Sequence, residues 1–325
     1  MSINVTAELS SVATRRKIDR DYMIRSRIRG YVDVTWSFAL MAVLLWAGSV
    51  ATAVWQFGLL YLAIGCMQHR FFFPVHDCIH YSLFPTKGEN RFFGGLFSAF
   101  IGTSFDAIKD QHMEHHRDFG KIEDPGASDY FVRFQSRGEL IRFMFGPLIG
   151  SILFAKLWDY LFRPGRVAAK NKDARDVSTL TAKLVPYTVI LGVQCAVCAV
   201  LTSGFQLTEL WRYPVLYVMP LVTVFLFFNR LRMFLEHGSL DYEVCDYFEG
   251  KRPTARSIHA SLLERAIICG SSFNYHHEHH NHPNVPGWQL PRLHRELCEE
   301  YDPEDIRQTY FQAFCEIWKH LSRRE

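Results

Sequence analysis

Between Asp33 and Arg70 the chain runs 36 residues without an Asp, Glu, Lys or Arg. A second gap of 25 residues separates Lys183 from Glu209, and a third of 17 separates Arg212 from Arg230. One helical crossing of a bilayer takes roughly 20 apolar residues. The first gap is long enough for a tight hairpin of two helices, and each later gap suits one. The pattern predicts four crossings, at approximately 34–51, 54–75, 184–205 and 212–231. Buried core helices of a soluble protein are the alternative, but such helices usually carry a polar stripe.

Charge placement orients this arrangement. Arg15, Arg16, Lys17, Arg20, Arg25, Arg27 and Arg29 all precede the first crossing, whereas the turns on the other side carry little charge. The positive-inside rule puts this N-terminal segment in the cytoplasm. A net charge of only +3 gives no support to nucleic-acid binding. The first apolar run lacks the cleavage pattern of a signal peptide. The eight cysteines do not read as a disulfide framework, and the C-x-x-C of Cys195 and Cys198 falls inside the third crossing, as membrane packing.

Against this apolar background the histidines are concentrated. "HDCIH" supplies His76 and His80 just after crossing two, and "HMEHH" supplies His112, His115 and His116 before crossing three. "RMFLEHG" supplies His237 after crossing four, and "NYHHEHHNHP" adds His276, His277, His279, His280 and His282. From the end of crossing two the chain crosses out and back before His237. Even parity places all of these on one face, with the N-terminal segment.

Spacing adds local geometry. Residues three and four apart share a helix face. His76 and His80 are i,i+4, and both His112/His115/His116 and His276/His279/His280 read H-x-x-H-H. Neutral imidazole binds first-row transition metals well. Eight or nine such residues exceed the needs of one zinc ion. Two metals with four or five nitrogen ligands each would use them and leave positions open for oxygen or water. The H-E-x-x-H of zinc proteases is missing.

"HDCIH", "HMEHHRDFGKIEDP" and "NYHHEHHNHPNVPGWQLPRLH" resemble the three histidine boxes of the integral-membrane fatty acid desaturase superfamily, which also holds lipid and carotenoid hydroxylases and ketolases. The resemblance spans about Phe71 to Leu297. It implies an all-α integral-membrane protein of one domain, 1–325, with a cytosolic N-terminal segment, 1–33, four transmembrane helices and a cytosolic helical cap, 232–325, holding a dimetal site. It implies a nonhaem diiron centre held by His76, His80, His112, His115, His116, His276, His279 and His280, with His237 where relatives place one more ligand. His277 and His282 do not match and read as residues behind the ligands or at the surface. His69, His259, His294 and His320 have no pattern.

A metal-bound imidazole usually donates its other N–H to a carboxylate or carbonyl. Asp77, Asp124, Glu236 and Glu278 are candidates for that role, and Arg232 is spaced to pair with Glu236 one turn on. Two shorter apolar stretches, Phe92–Phe105 and Phe143–Ala155, read as interfacial or re-entrant helices or as buried soluble ones.

The expected activity is oxygen-dependent desaturation of a lipid or fatty acyl chain, using two iron ions with O2 as co-substrate. The close alternative is a hydroxylase or ketolase acting on a lipid or a carotenoid. Oxidative decarboxylation of a fatty acid and a membrane metal-binding protein without redox chemistry are more distant ones. No haem-attachment C-x-x-C-H, G-x-G-x-x-G or iron–sulfur spacing is present, and no cytochrome domain is fused, so electrons are expected from a separate ferredoxin or small cytochrome. The basic Arg166, Lys170, Lys172 and Arg175 could receive an acidic donor. A bacterial inner membrane is the expected location.

Overall fold

The computed structural model describes residues 20–162, 180–237, 255–270, 272–297 and 308–322. Among them every long element is a helix, and the one β-type contact is an isolated antiparallel bridge between Ser257 and Tyr275. The helices that place the site are α1 (Arg27–Val50), α2 (Val54–Ile79), α3 (Lys87–Phe100), α4 (Phe105–Asp118), α5 (Arg137–Phe145) and α6 (Ser151–Phe162). They continue with α7 (Leu180–Leu201), α8 (Leu226–His237), α9 (His276–Asn281), α10 (Leu290–Leu297) and α11 (Tyr310–Ser322).

Helix α1 starts where the Ser26 hydroxyl accepts the Arg29 N–H at 3.3 Å, satisfying a donor that a helix start leaves unpaired. Its buried residues Gly30, Val34, Ser37, Met41, Leu45 and Gly48 step by three or four, so they form one stripe. The other face shows Trp36, Val43, Trp46 and Val50 to the outside. A helix apolar all round suits a position between protein and lipid.

Among the described residues, three segments are long and apolar enough to cross a membrane, Arg20–Val50, Leu184–Leu201 and Leu207–His237. The second expected crossing, 54–75, lies within the 26-residue α2, which is long enough but less apolar. Gln68, His69 and Arg70 enter its second half. The buried Gln68 amide donates to the Tyr217 carbonyl at 2.9 Å, so this polarity is spent inside the bundle rather than against lipid. The last run is irregular. It passes through π-helical turns at Pro214–Val218 and Leu221–Phe225 before becoming α8.

The stretch Phe143–Ala155 falls on the junction of α5 and α6, which bend by 81° and together are apolar enough for a broken span or re-entrant loop. Gly150 makes the bend with φ 77°, a backbone region that glycine enters without steric cost. Helix α6 exposes Phe154, Trp158, Leu161 and Phe162, as a helix lying in a bilayer would. Phe92–Phe105 lies mostly in α3, packed on α2 and α7.

Two apolar cores meet at the site. One joins Met41, Ile64, Phe71, Phe97, Leu201 and Leu216 inside the bundle. The other joins Phe73, Phe234, Phe273, Tyr310 and Ile317. Phe71 and Phe73 of α2 belong to different cores, and His76 follows one turn later. Far from the histidines, the buried Arg212 donates to the carbonyls of Gly48 and Ala51 at 2.6 and 3.0 Å, closing the C-terminal end of α1.

Candidate metal centre

Helices α2 and α8 do not stop where the apolar runs stop. Each continues about a turn, carrying His76 to the last turn of α2, His80 to its C-terminal cap, and His237 to the end of α8. The Ser104 hydroxyl caps α4, accepting the Ala107 N–H at 3.2 Å, and α4 presents His112, His115 and His116. The six-residue α9 presents His276, His279 and His280. Gly270 brings the chain onto α2 ahead of α9. It has φ 55°, and a Cβ there would collide with the Phe73 ring.

These four segments bring the imidazoles into two groups. His76, His80, His112, His116 and His279 form one. His115, His237 and His280 form the other, and His276 joins it through contacts with His237 and His280. The Nε2 atoms face one another: His80–His112 at 2.8 Å, His112–His116 at 3.0 Å and His116–His279 at 3.1 Å. In the second group His237 Nε2 lies 3.0 Å from His115 Nε2, 2.9 Å from His276 Nε2 and 3.2 Å from His280 Nε2.

Proton bookkeeping shows what such spacings require. His115 Nδ1 donates to both Asp124 oxygens at 2.9 and 2.8 Å, and His237 Nδ1 donates to the Met233 carbonyl at 3.2 Å. With those protons on Nδ1, two neutral rings point Nε2 lone pairs at each other across 3.0 Å. A cation between them removes the conflict. Ligands at right angles on a metal with bonds of roughly 2.1 Å stand ~3.0 Å apart, which matches the observed spacings. His76 gives a second sign. It is buried, and neither of its ring nitrogens has a hydrogen-bond partner. The residues present therefore fit two metal ions.

Burial favours the neutral ring at four of these positions. Burial, aided by the neighbouring imidazoles, pushes His112, His279 and His280 well below the usual histidine range. Burial, with Lys109 adding, brings His80 down to about 4. Neutral imidazole is the ligand form.

Behind the rings the carboxylates divide. Asp124 orients His115 and is itself held by the Tyr130 hydroxyl and by the Gly126 N–H at 2.7 Å. Glu236 lies 3.5 Å from His276 Nδ1 and groups with His237 and His276. Arg232 grips it through two bonds of 2.9 and 2.7 Å, and Tyr310 donates a third. Asp77 stands 3.7 Å from His76 Nδ1, too far for a hydrogen bond.

Glu278 departs from expectation, since it touches none of the nine rings. It bonds His294 Nδ1 at 2.8 Å and the Ser257 hydroxyl, because one residue of α9 turns about 100° from the next and points it away from the metals. Burial opposes its charge, but those two bonds prevail and hold its carboxyl below the usual range. His294, patternless in the sequence, is thus a buried strut between α10 and α9. His277 leaves the cluster as expected, donating from Nδ1 to the Ala255 carbonyl at 2.8 Å. The basic residues Arg166, Lys170, Lys172 and Arg175 lie outside the described residues.

A helical bundle with membrane-spanning segments, closing on two groups of imidazoles, defines a membrane metalloprotein. Comparison with known proteins specifies the class. A family model described as fatty acid desaturase matches residues 53–312. The chain therefore belongs to the fatty acid desaturase family and is an oxidoreductase. It is similar to dihydrorhizobitoxine desaturase of Bradyrhizobium elkanii, 23% identical over 81% of this chain and 73% of that protein. It is also similar to a beta-carotene ketolase of Paracoccus sp., 26% identical over 72% of this chain and 75% of the ketolase. The sphingolipid delta(4)-desaturase DES1 of Bos taurus is 27% identical, over 83% and 69% of the respective chains.

Proposed function

We infer that this protein is a membrane-bound, oxygen-dependent diiron desaturase acting on a lipid or fatty acyl chain, with electrons delivered by a separate carrier protein. The observation that carries this reading is the convergence of nine imidazoles in two groups at the junction of the bundle and cap cores. His76, His80, His112, His116 and His279 would hold one iron, and His115, His237, His276 and His280 the other. A reduced iron pair, when bound, would supply the site at which O2 is activated for attack on an unactivated C–H bond, with two of its four electrons coming from the substrate and two from the donor. Desaturation balances when two hydrogens leave the substrate and the donor adds two electrons and two protons, giving two waters.

The chain's own residues prepare that step. Asp124 and the Met233 carbonyl keep the Nδ1 protons of His115 and His237 in place, so both Nε2 atoms stay free to bind metal. Arg232 and Tyr310 hold Glu236 fixed beside His276. The rings of Phe72 and Phe273 pack on His76, and Phe119 packs on His115 and His280, which shields those faces of the imidazoles.

With α2 counted as a crossing, four crossings return the chain to its starting face, and the N-terminal arginines mark that face as cytoplasmic. This puts the metals within reach of a soluble donor, in a bacterial inner membrane. Hydroxylation or ketolation at the same centre is the second reading, favoured by the likeness to a beta-carotene ketolase. Expression in a host with and without carotenoids, with lipid and pigment profiling against a His279→Ala control, separates the two. A new double bond in an acyl lipid supports desaturation, and an oxygenated product supports the second reading. Zinc in place of iron, with no product, would overturn both.

A further inference from the structure

A cavity of about 530 Å³ lies beside the metal centre, walled by α4, α6 and α8. His112 of one imidazole group and His115 of the other both line it, so a molecule placed here meets both metals. Its volume suits one ligand of modest size.

The lining is not that of a hydrocarbon sleeve. Phe72, Ile108 and Phe225 give it apolar wall, but Lys156, Arg230, Asp129, Asn229 and Gln111 face it too. Arg230 and Asp129 pair at 3.1 Å and cancel. Lys156 is the cation left over: it has no ion-pair partner among the described residues, and Asp159 one turn on, the only other charge of α6, does not line the cavity. Asn229 and Gln111 form no side-chain hydrogen bond among the described residues. A pure hydrocarbon would strip water from these groups and return no bonds. An anion seated there would gain charge-assisted ones.

Helix geometry sets the reach. Asn229, Met233 and His237 are spaced i,i+4,i+8 on α8, and Arg230 adjoins the same stripe. Seven residues separate Arg230 from His237, a rise of ~10 Å. On α4, Gln111 stands one turn before His115.

We propose that this cavity seats an amphiphile by an anionic head, carboxylate or phosphate, at Lys156 beside the Arg230–Asp129 pair, and that the oxidised carbon lies within ~10 Å of that head. Only the second half rests on the reading of the histidines as an oxidising centre. The test is displacement of dansyl-undecanoate from the purified full-length protein by laurate, dodecyl phosphate and methyl laurate. Either anion should compete at least tenfold better than the ester, and the better of the two identifies the head. Lys156→Glu should remove that preference and Lys156→Arg should keep it. Lys156 is exposed, so both variants should fold, which gel filtration checks. Asn229→Leu should weaken the anions without weakening the ester. Failure of the probe to bind, equal competition by the ester, or an undiminished preference in Lys156→Glu overturns the proposal. Iron content is scored separately. Metal-free protein that still prefers anions keeps the binding half and loses the diiron reading. Iron-loaded protein that oxidises β-carotene but shows no anion preference does the reverse.

Discussion

Asp124 and His115 form a bidentate contact, with the imidazole Nδ1 2.9 and 2.8 Å from the two carboxylate oxygens. Nine residues separate them, and the turn at Gly120 folds the chain back between them. The contact fixes which nitrogen of His115 faces His237. Asp124→Ala should therefore cost the second metal more than the first. Losing such a partner typically lowers metal affinity or activity 10–100-fold. Iron per chain and turnover should fall together. Two irons with undiminished turnover would remove Asp124 from the site.

Metal-stripped protein should lose stability in acid. His80 titrates at about 4 in the folded state against 6.5 in an exposed histidine. Between those values the unfolded chain binds more protons, so stability rises with pH across the window and is lost as pH falls through it. His112, His279 and His280 shift in the same direction and add to the slope. Bound metal competes with those protons, so the loaded protein should hold its melting temperature further into acid. Thermal melts of stripped and reloaded protein from pH 7.5 to pH 4.5 would check this, and equal slopes would refute it.

His294→Ala should destabilise the cap although His294 is no ligand. It leaves Glu278 buried with one bond fewer, at a cost of about 1–3 kcal/mol. The melting temperature should drop, whereas Glu278→Gln combined with His294→Ala should recover part of the loss because no charge is left stranded.

Gly270→Ala should be costly out of proportion to one methyl group. It needs a positive φ and meets the Phe73 ring. A strained position of this kind costs about 1–3 kcal/mol. Phe73→Leu should relieve the collision but not the backbone strain, so the double variant should recover only partly in a thermal melt.

The imidazole cluster was legible because helix periodicity is local. His76/His80, His112/His115/His116 and His276/His279/His280 announce shared faces within five residues. Arg232 and Glu236, one turn apart, were legible for the same reason. Tyr310 on Glu236 was not, since 74 residues separate them and packing alone brings them together. Ser257 and His294 on Glu278 were hidden likewise. The apolar runs located the bundle but not its upper edge, because α2 continues through Gln68, His69 and Arg70, of which the buried Gln68 bonds the Tyr217 carbonyl of a neighbouring segment.

The imidazoles of one group are scattered along the chain from His76 to His279, and those of the other from His115 to His280. During synthesis neither cage can close until the residues of α9 have been added and folded back onto α2 and α4. Closure of the imidazole cages is thus a late event in the protein's making, and an interrupted translation product leaves behind only an incomplete set of rings.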